Sequence, residues 1–203
     1  MISEKYNFLF IHRGKSGGNS INEALLSLSE DEKTVDSSFQ DGVDRFGIFS
    51  RRYGTNKHTP LRQYRERIPK DVFERLFKFS VLRNPYARLV SAYFSPHRIA
   101  QGASPEFNRD EFIRIIETEG TFREMACLSD KGELDGDIDR VLRFEALQED
   151  FGTLCRDLNL PYISLNHRNA SGKRSYREFY DDELKAMVID RFGEEIEFGG
   201  YSF

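Results

Sequence analysis

Phe8-Leu9-Phe10-Ile11-His12-Arg13-Gly14-Lys15-Ser16-Gly17-Gly18-Asn19-Ser20 is the stretch whose reading decides the fold. Its first four residues form a short continuous apolar run, which predicts a strand buried on both faces. The run stops at a turn-rich loop, and a helical stripe of Ile21, Leu25 and Leu28 follows. Ser20 with Glu23 is spaced as a capping box if the helix starts there, and a start a few residues earlier is the alternative. The stretch therefore reads as strand, glycine loop and helix.

The same pattern recurs twice. Leu76-Phe77-Lys78-Phe79-Ser80-Val81-Leu82 predicts a second strand, and Arg83-Asn84-Pro85 follows it. Asn84 is a good helix N-cap and Pro85 a good first helical residue. That helix turns Leu89, Ala92 and Tyr93 toward the core. A third strand, Arg140-Val141-Leu142-Arg143-Phe144, precedes a helix carrying Leu147, Phe151, Leu154 and Leu158. A polar loop runs over 166–175, and a last helix over about 181–192 leads to the aromatic tail Phe198, Tyr201 and Phe203. Strands alternating with helices predict an α/β fold: one domain over 1–203, with a central parallel sheet flanked by helices and a P-loop-like nucleotide-binding architecture. In such sheets ligands sit beyond the carboxyl ends of the strands, so the Lys15 loop and the Arg83 loop are expected to face one ligand.

Composition excludes several classes. With 38% hydrophobic and 32% charged residues, the chain is globular rather than disordered or fibrous. No apolar run reaches bilayer length, and Met1-Ile2-Ser3-Glu4-Lys5 lacks a signal-peptide layout, so a cytoplasmic protein is expected, or a domain cut free of an anchor. Cys127 and Cys155 are too few for a disulfide framework or a zinc site and read as buried thiols. The net charge of −4 argues against a nucleic-acid binder working by general attraction to phosphate. Charge is unevenly spread, however. Arg51, Arg52, Lys57, Arg62, Arg65, Arg67 and Lys70 stand against the single acid Glu66, while Asp130, Glu133, Asp135, Asp137 and Asp139 outnumber Lys131. The basic segment is either a solvated face or the edge of a site for anions.

Gly14-Lys15-Ser16-Gly17-Gly18-Asn19-Ser20 has the parts of an anion cradle. Glycines let main-chain N–H groups approach, a helix N-terminus follows, and lysine and hydroxyls add donors. A Walker A loop needs a glycine five positions before Gly14, where Leu9 stands, so this loop is shorter. Arg83 ends the second strand, and Ser91 lies eight positions on. An arginine can grip a phosphate with two parallel hydrogen bonds, and a serine can add a third.

Together, Lys15-Ser16-Gly17-Gly18-Asn19-Ser20 and Arg83-Asn84-Pro85-Tyr86-Ala87-Arg88-Leu89-Val90-Ser91-Ala92-Tyr93 resemble the two signatures of the sulfotransferases. The match is nearer to the carbohydrate (Golgi-type) branch and its bacterial relatives than to the cytosolic steroid and phenol branch. Arg143-Phe144-Glu145 resembles the family's late strand-to-helix junction, His167-Arg168-Asn169-Ala170-Ser171 its late nucleotide-side loop, and 180–203 its ending. The resemblance implies that the first loop binds the 5′-phosphosulfate of 3′-phosphoadenosine-5′-phosphosulfate (PAPS), and that Arg83 and Ser91 bind its 3′-phosphate. It extends the nucleotide site to Ser171 and Lys173; Lys173 and Arg174 would reach either the 3′-phosphate or the acceptor. Gly14 departs from the family, which usually has proline there, and the acceptor-binding insertions are short.

The implied reaction is in-line attack of an acceptor hydroxyl on sulfur, with Lys15 neutralising the leaving oxygen. A sulfuryl group carries less charge than a phosphoryl group, so a metal clamp is not required, and the sequence has no clustered metal-ligand set. His58, in Lys57-His58-Thr59-Pro60-Leu61, resembles the base of the uronyl 2-O-sulfotransferases, and a histidine suits that task near neutrality. Asp41 or Asp44 is the carboxylate alternative. His12 reads as structural, His97 and His167 as weak candidates, and Arg88 faces either the nucleotide or solvent. Asn169-Ala170-Ser171 matches a glycosylation acceptor, a pattern discounted without a secretory signal. A P-loop-type kinase and a non-catalytic nucleotide-binding protein are the competing classes. The expected acceptor is a sugar hydroxyl, anionic if the basic segment faces the site.

Overall fold

The computed structural model describes residues 1–36, 45–126, 137–165 and 174–203. Asp41, Asp44, Cys127, His167, Ser171 and Lys173, with the pattern at Asn169, lie outside the described residues. The main sheet is built from β1 (Ile2–Ser3), β2 (Phe8–Ile11), β6 (Phe77–Leu82) and β7 (Arg140–Arg143), in the order β1-β2-β6-β7. β2 pairs with β6, and β6 with β7, in parallel, with Phe10 opposite Phe79 and Val81 opposite Leu142. β1 is antiparallel to β2. The three strands expected from sequence thus form the parallel core of an α/β fold, and β1 is an addition that two residues were too short to announce.

Between β2 and β6 the chain forms α1 (Gly18–Leu25), β3 (Glu32–Asp36), β4 (Arg45–Ser50), β5 (Thr55–Asn56), α2 (Leu61–Arg67) and α3 (Lys70–Arg75). β3, β4 and β5 make a separate antiparallel sheet that the sequence reading missed. After β6 come α4 (Pro85–Tyr93), α5 (Pro96–Ala100), α6 (Arg109–Thr118) and α7 (Phe122–Ala126); after β7 come α8 (Leu147–Asp157) and α9 (Asp182–Gly199).

Strand alternation sorts the core into two faces. Phe8, Phe10, Phe79 and Val81 pack with Ile21 and Leu25 of α1 and Phe151 and Leu154 of α8. Leu9, Ile11 and Leu82 point the other way, against Leu61, Tyr64, Val72 and Phe73 of α2 and α3. Lys78 lies on that second face, buried; its ammonium donates to the Phe73 and Leu76 carbonyls at 3.1 and 2.6 Å, so a strand lysine satisfies the end of α3. α4, α6 and α9 form a third cluster around Leu89, Tyr93, Phe112, Val188 and Phe192.

Two local expectations need correction. α1 starts at Gly18 behind Gly17 in the left-handed region, with no side-chain cap, so Ser20 and Glu23 lie inside the helix and form no capping box. α9 does not end near 192: it breaks at Phe192 (φ −118°) and runs on to Gly200, whose φ of 60° ends it. Phe198 is therefore helical rather than part of a tail. Asn84 caps α4 as expected, its side chain accepting from the Tyr86 N–H at 3.0 Å. Cys155 is a buried free thiol, as read. Among the described residues, no helix is long and apolar enough to cross a membrane.

Candidate active site

β2 and β6 are parallel neighbours, so the loops leaving their carboxyl ends emerge side by side. A cleft of about 430 Å³ opens there. Gly14, Lys15, Gly17, Gly18, Asn19 and Ser20 line it from the first loop, Arg83 and Ser91 from β6 and α4, and His58 from the segment after β5. Ser16 does not line it: its hydroxyl is buried beneath the loop without a hydrogen-bond partner.

Loop conformation follows from its residue types. Gly17 has φ +77°, a region that favours glycine, and a Cβ there would fall 2.6 Å from a Leu147 methyl group. A Cβ on Gly18 would meet the His12 ring at 2.6 Å. Gly14, the departure from the family pattern, has open space around it. Lys15 itself sits at φ +64°, which costs a non-glycine residue about 1–2 kcal/mol. Arg83 Nη1 holds that turn by donating to the Lys15 carbonyl oxygen at 2.8 Å.

Among the described residues, the one hydrogen bond of Lys15 Nζ is to the Ser95 hydroxyl, at 3.3 Å; burial, then the Arg83 charge, lowers its pKa, with Glu119 opposing. Arg83 stacks on Phe144 with its guanidinium 4.1 Å from the ring centroid; its Nε is buried without a partner, and burial lowers its pKa. Among the described residues, neither cation forms an ion pair.

Nearby buried arginines are treated differently. Arg13 meets Glu195 through two hydrogen bonds of 2.8 and 2.6 Å, and Arg88 meets Glu119 at 2.8 Å; both arginines also donate to the Gly120 carbonyl. Arg88, 1% exposed, thus lies in the core and not among the residues that line the cleft. Arg13 and Arg88 each have a carboxylate within hydrogen-bond reach; among the described residues Lys15 and Arg83 have none that close, and Glu119 and Glu145 act on them only from farther off. The glycine loop and these two cations suit an anionic ligand.

His58 opens to the cleft, its ring centroid 4.8 Å from that of His12. The surrounding protein, then the Lys57 charge, lowers its pKa, while the nearby His12 main chain acts against them. Lys57 donates to the Phe46 carbonyl at 2.8 Å and lies over that ring; burial brings its pKa to about 8.

The rest of the basic segment turns away. Arg51 pairs with Glu32, Arg52 with Glu4, Arg62 with Glu66, Arg65 with Asp137 and Lys70 with Glu74, while Arg67 donates to the Gly54 carbonyl. Only Lys57 of that run reaches the cleft, because a charged run on short elements alternates its direction. Arg45, Phe46, Gly47, Ser95, Pro96 and Phe144 also line the cleft and were missed; His97, a weak candidate, and His12, read as structural, line it too. Arg45, Phe46 and Gly47 had no signal, since the sheet that presents them was not read. Among the described residues, no group of three His, Cys, Asp or Glu side chains could hold a metal ion.

A family model described as the sulfotransferase family matches residues 1–202. The chain belongs to the sulfotransferase family. It is a PAPS-dependent enzyme of sulfuryl transfer. Comparison with the curated proteins and with the solved structures gives no match.

Proposed function

We propose that this sulfotransferase binds PAPS with Lys15 and the Gly17, Gly18, Asn19 and Ser20 turn around the 5′-phosphosulfate, and with Arg83 and Ser91 around the 3′-phosphate. His58 is the base for the acceptor hydroxyl, and the acceptor is an anionic sugar. One observation carries the reading: Lys15 and Arg83 share a cleft with a histidine, and among the described residues neither forms an ion pair. PAPS supplies an activated sulfuryl group on a phosphate leaving group. The protein's part is to orient and to manage charge. Lys15 presents a half-buried cation to a developing oxyanion, Arg83 is pre-set by its carbonyl and ring contacts, and His58 accepts a proton at a ring nitrogen.

Ligand preference tests the donor half. 3′,5′-Adenosine diphosphate is expected to raise the melting temperature, and ATP to leave it unchanged. Arg83→Ala is expected to weaken that binding about ten- to a hundredfold by calorimetry, the loss of charged hydrogen bonds worth roughly 1.5–3 kcal/mol. Unchanged affinity would overturn the assignment.

The likeness of the Lys15–Ser20 and 83–93 segments to the carbohydrate branch supports a sugar acceptor. Lys57 and Arg45, both on the cleft wall, support an anionic one. The pH dependence of kcat/KM separates the possibilities. His58 works neutral, so activity falls as pH drops through its pKa, which lies below 6.5. Lys57 works charged, so capture of an anionic acceptor falls as pH rises through about 8. A bell is expected for an anionic acceptor and a plateau at high pH for a neutral one; Lys57→Met should abolish the descending limb.

A further inference from the structure

His58 reaches into the cleft from a short segment, and what lies behind it is His12. That residue follows β2 and is 3% exposed. Its Nδ1 lies 2.7 Å from the side-chain nitrogen of Asn22, itself buried on α1. An amide nitrogen can only donate, so Nδ1 accepts and the His12 proton sits on Nε2. The Nε2 edge fills the space beside Gly18, where an added Cβ would approach it to 2.7 Å. His58 in turn rests edge-on against the His12 ring, the two centroids 4.8 Å apart and the planes at 63°.

We propose that His12 is a positioning residue, held by Asn22 as the neutral Nε2–H imidazole beneath the donor loop, and that the edge-on contact of its ring sets the orientation of His58 and with it the tautomer. This rests on the reading of His58 as the base. A phenylalanine would fill the same space against Phe10, whose ring centroid lies 5.8 Å from that of His12. It would not need a buried amide partner. The charged groups around the pair are Lys57, which Glu23 partly offsets, and the amino group of residue 1, which acts on His12. With burial first among the causes, they keep His12 neutral well below 6.5. Because the ring also abuts Gly18, the donor loop and the base share one support.

Long-range ¹H–¹⁵N NMR of the histidine rings in the whole protein, without donor, tests this. The wild type is expected to show His12 neutral with its proton on Nε2, and His58 as one dominant tautomer. Asn22→Asp replaces a donor with an acceptor; it should draw a proton to His12 Nδ1, raise the His12 pKa and lower that of His58 by repulsion. Asn22→Leu should mix the His58 tautomers and lower kcat about ten- to a hundredfold, the usual worth of a partner that orients a working histidine, with affinity for 3′,5′-adenosine diphosphate retained. A wild-type proton on His12 Nδ1, or a His58 tautomer and pKa unmoved in a folded Asn22→Asp protein, overturns the proposal. The wild-type spectrum decides even if a variant fails to fold. A responsive His58 whose alanine variant still turns over leaves the positioning intact and removes the base assignment; the opposite pair of results removes the positioning alone.

Discussion

His58→Ala is expected to slow the chemical step by about two to four powers of ten while leaving donor affinity nearly intact. The expectation follows from where the ring sits. His58 shares the cleft with Lys15 and Arg83 but is not part of the loop that would hold the donor. Lys15→Ala should behave differently, weakening donor binding and turnover together, because its ammonium faces both the bound anion and the leaving oxygen. Single-turnover rates against pH for the wild type, His58→Ala, Asp41→Asn and Asp44→Asn separate the candidates. Near-normal rates in His58→Ala, with loss in one acidic variant, would assign the base to a carboxylate.

Glu195→Ala is expected to lower unfolding free energy by about 3–5 kcal/mol, because it leaves a buried guanidinium without its counter-charge. Arg13 and Glu195 are each 2% exposed, and the carboxylate also accepts from the Phe122 main-chain N–H. The pair ties the residue before Gly14 to α9, so the donor loop hangs on the last helix of the fold. Urea denaturation measures the loss. Arg13→Met combined with Glu195→Leu should recover much of it, since removing both charges removes the desolvation cost as well. A change within about 0.5 kcal/mol, the size typical of surface positions, would show that the pair carries no weight.

How much of this was legible in sequence depends on the range of the interaction concerned. The strand, glycine loop and helix at 8–25 could be read because hydrophobic burial and glycine geometry act within a few residues. The Asn84 cap and Pro85 start likewise announce themselves locally. Arg83 and Ser91 could be placed near Lys15 because parallel strands send their following loops to the same edge. Arg88 shows where this stops. Its position one turn before Ser91 is equally compatible with nucleotide, solvent or core, and Glu119, distant in sequence, is what takes it into the core.

The chain's local pattern alone determined the α/β class, the glycine loop after the first core strand and the meeting of Lys15 with Arg83 in one cleft. Tertiary structure decided which charges remain unpaired, and that could not be read beforehand because ion pairing depends on partners up to 182 positions apart, as between Arg13 and Glu195. It also decided which residue of the basic run faces the site. Arg51, Arg52, Arg62 and Arg65 found acids on the surface, and Lys57 was carried into the cleft by a small antiparallel sheet whose short strands left no periodic trace. Burial against distant groups likewise separates His12 from His58: two imidazoles with the same intrinsic chemistry on one cleft, the first buried against Asn22 and the second exposed.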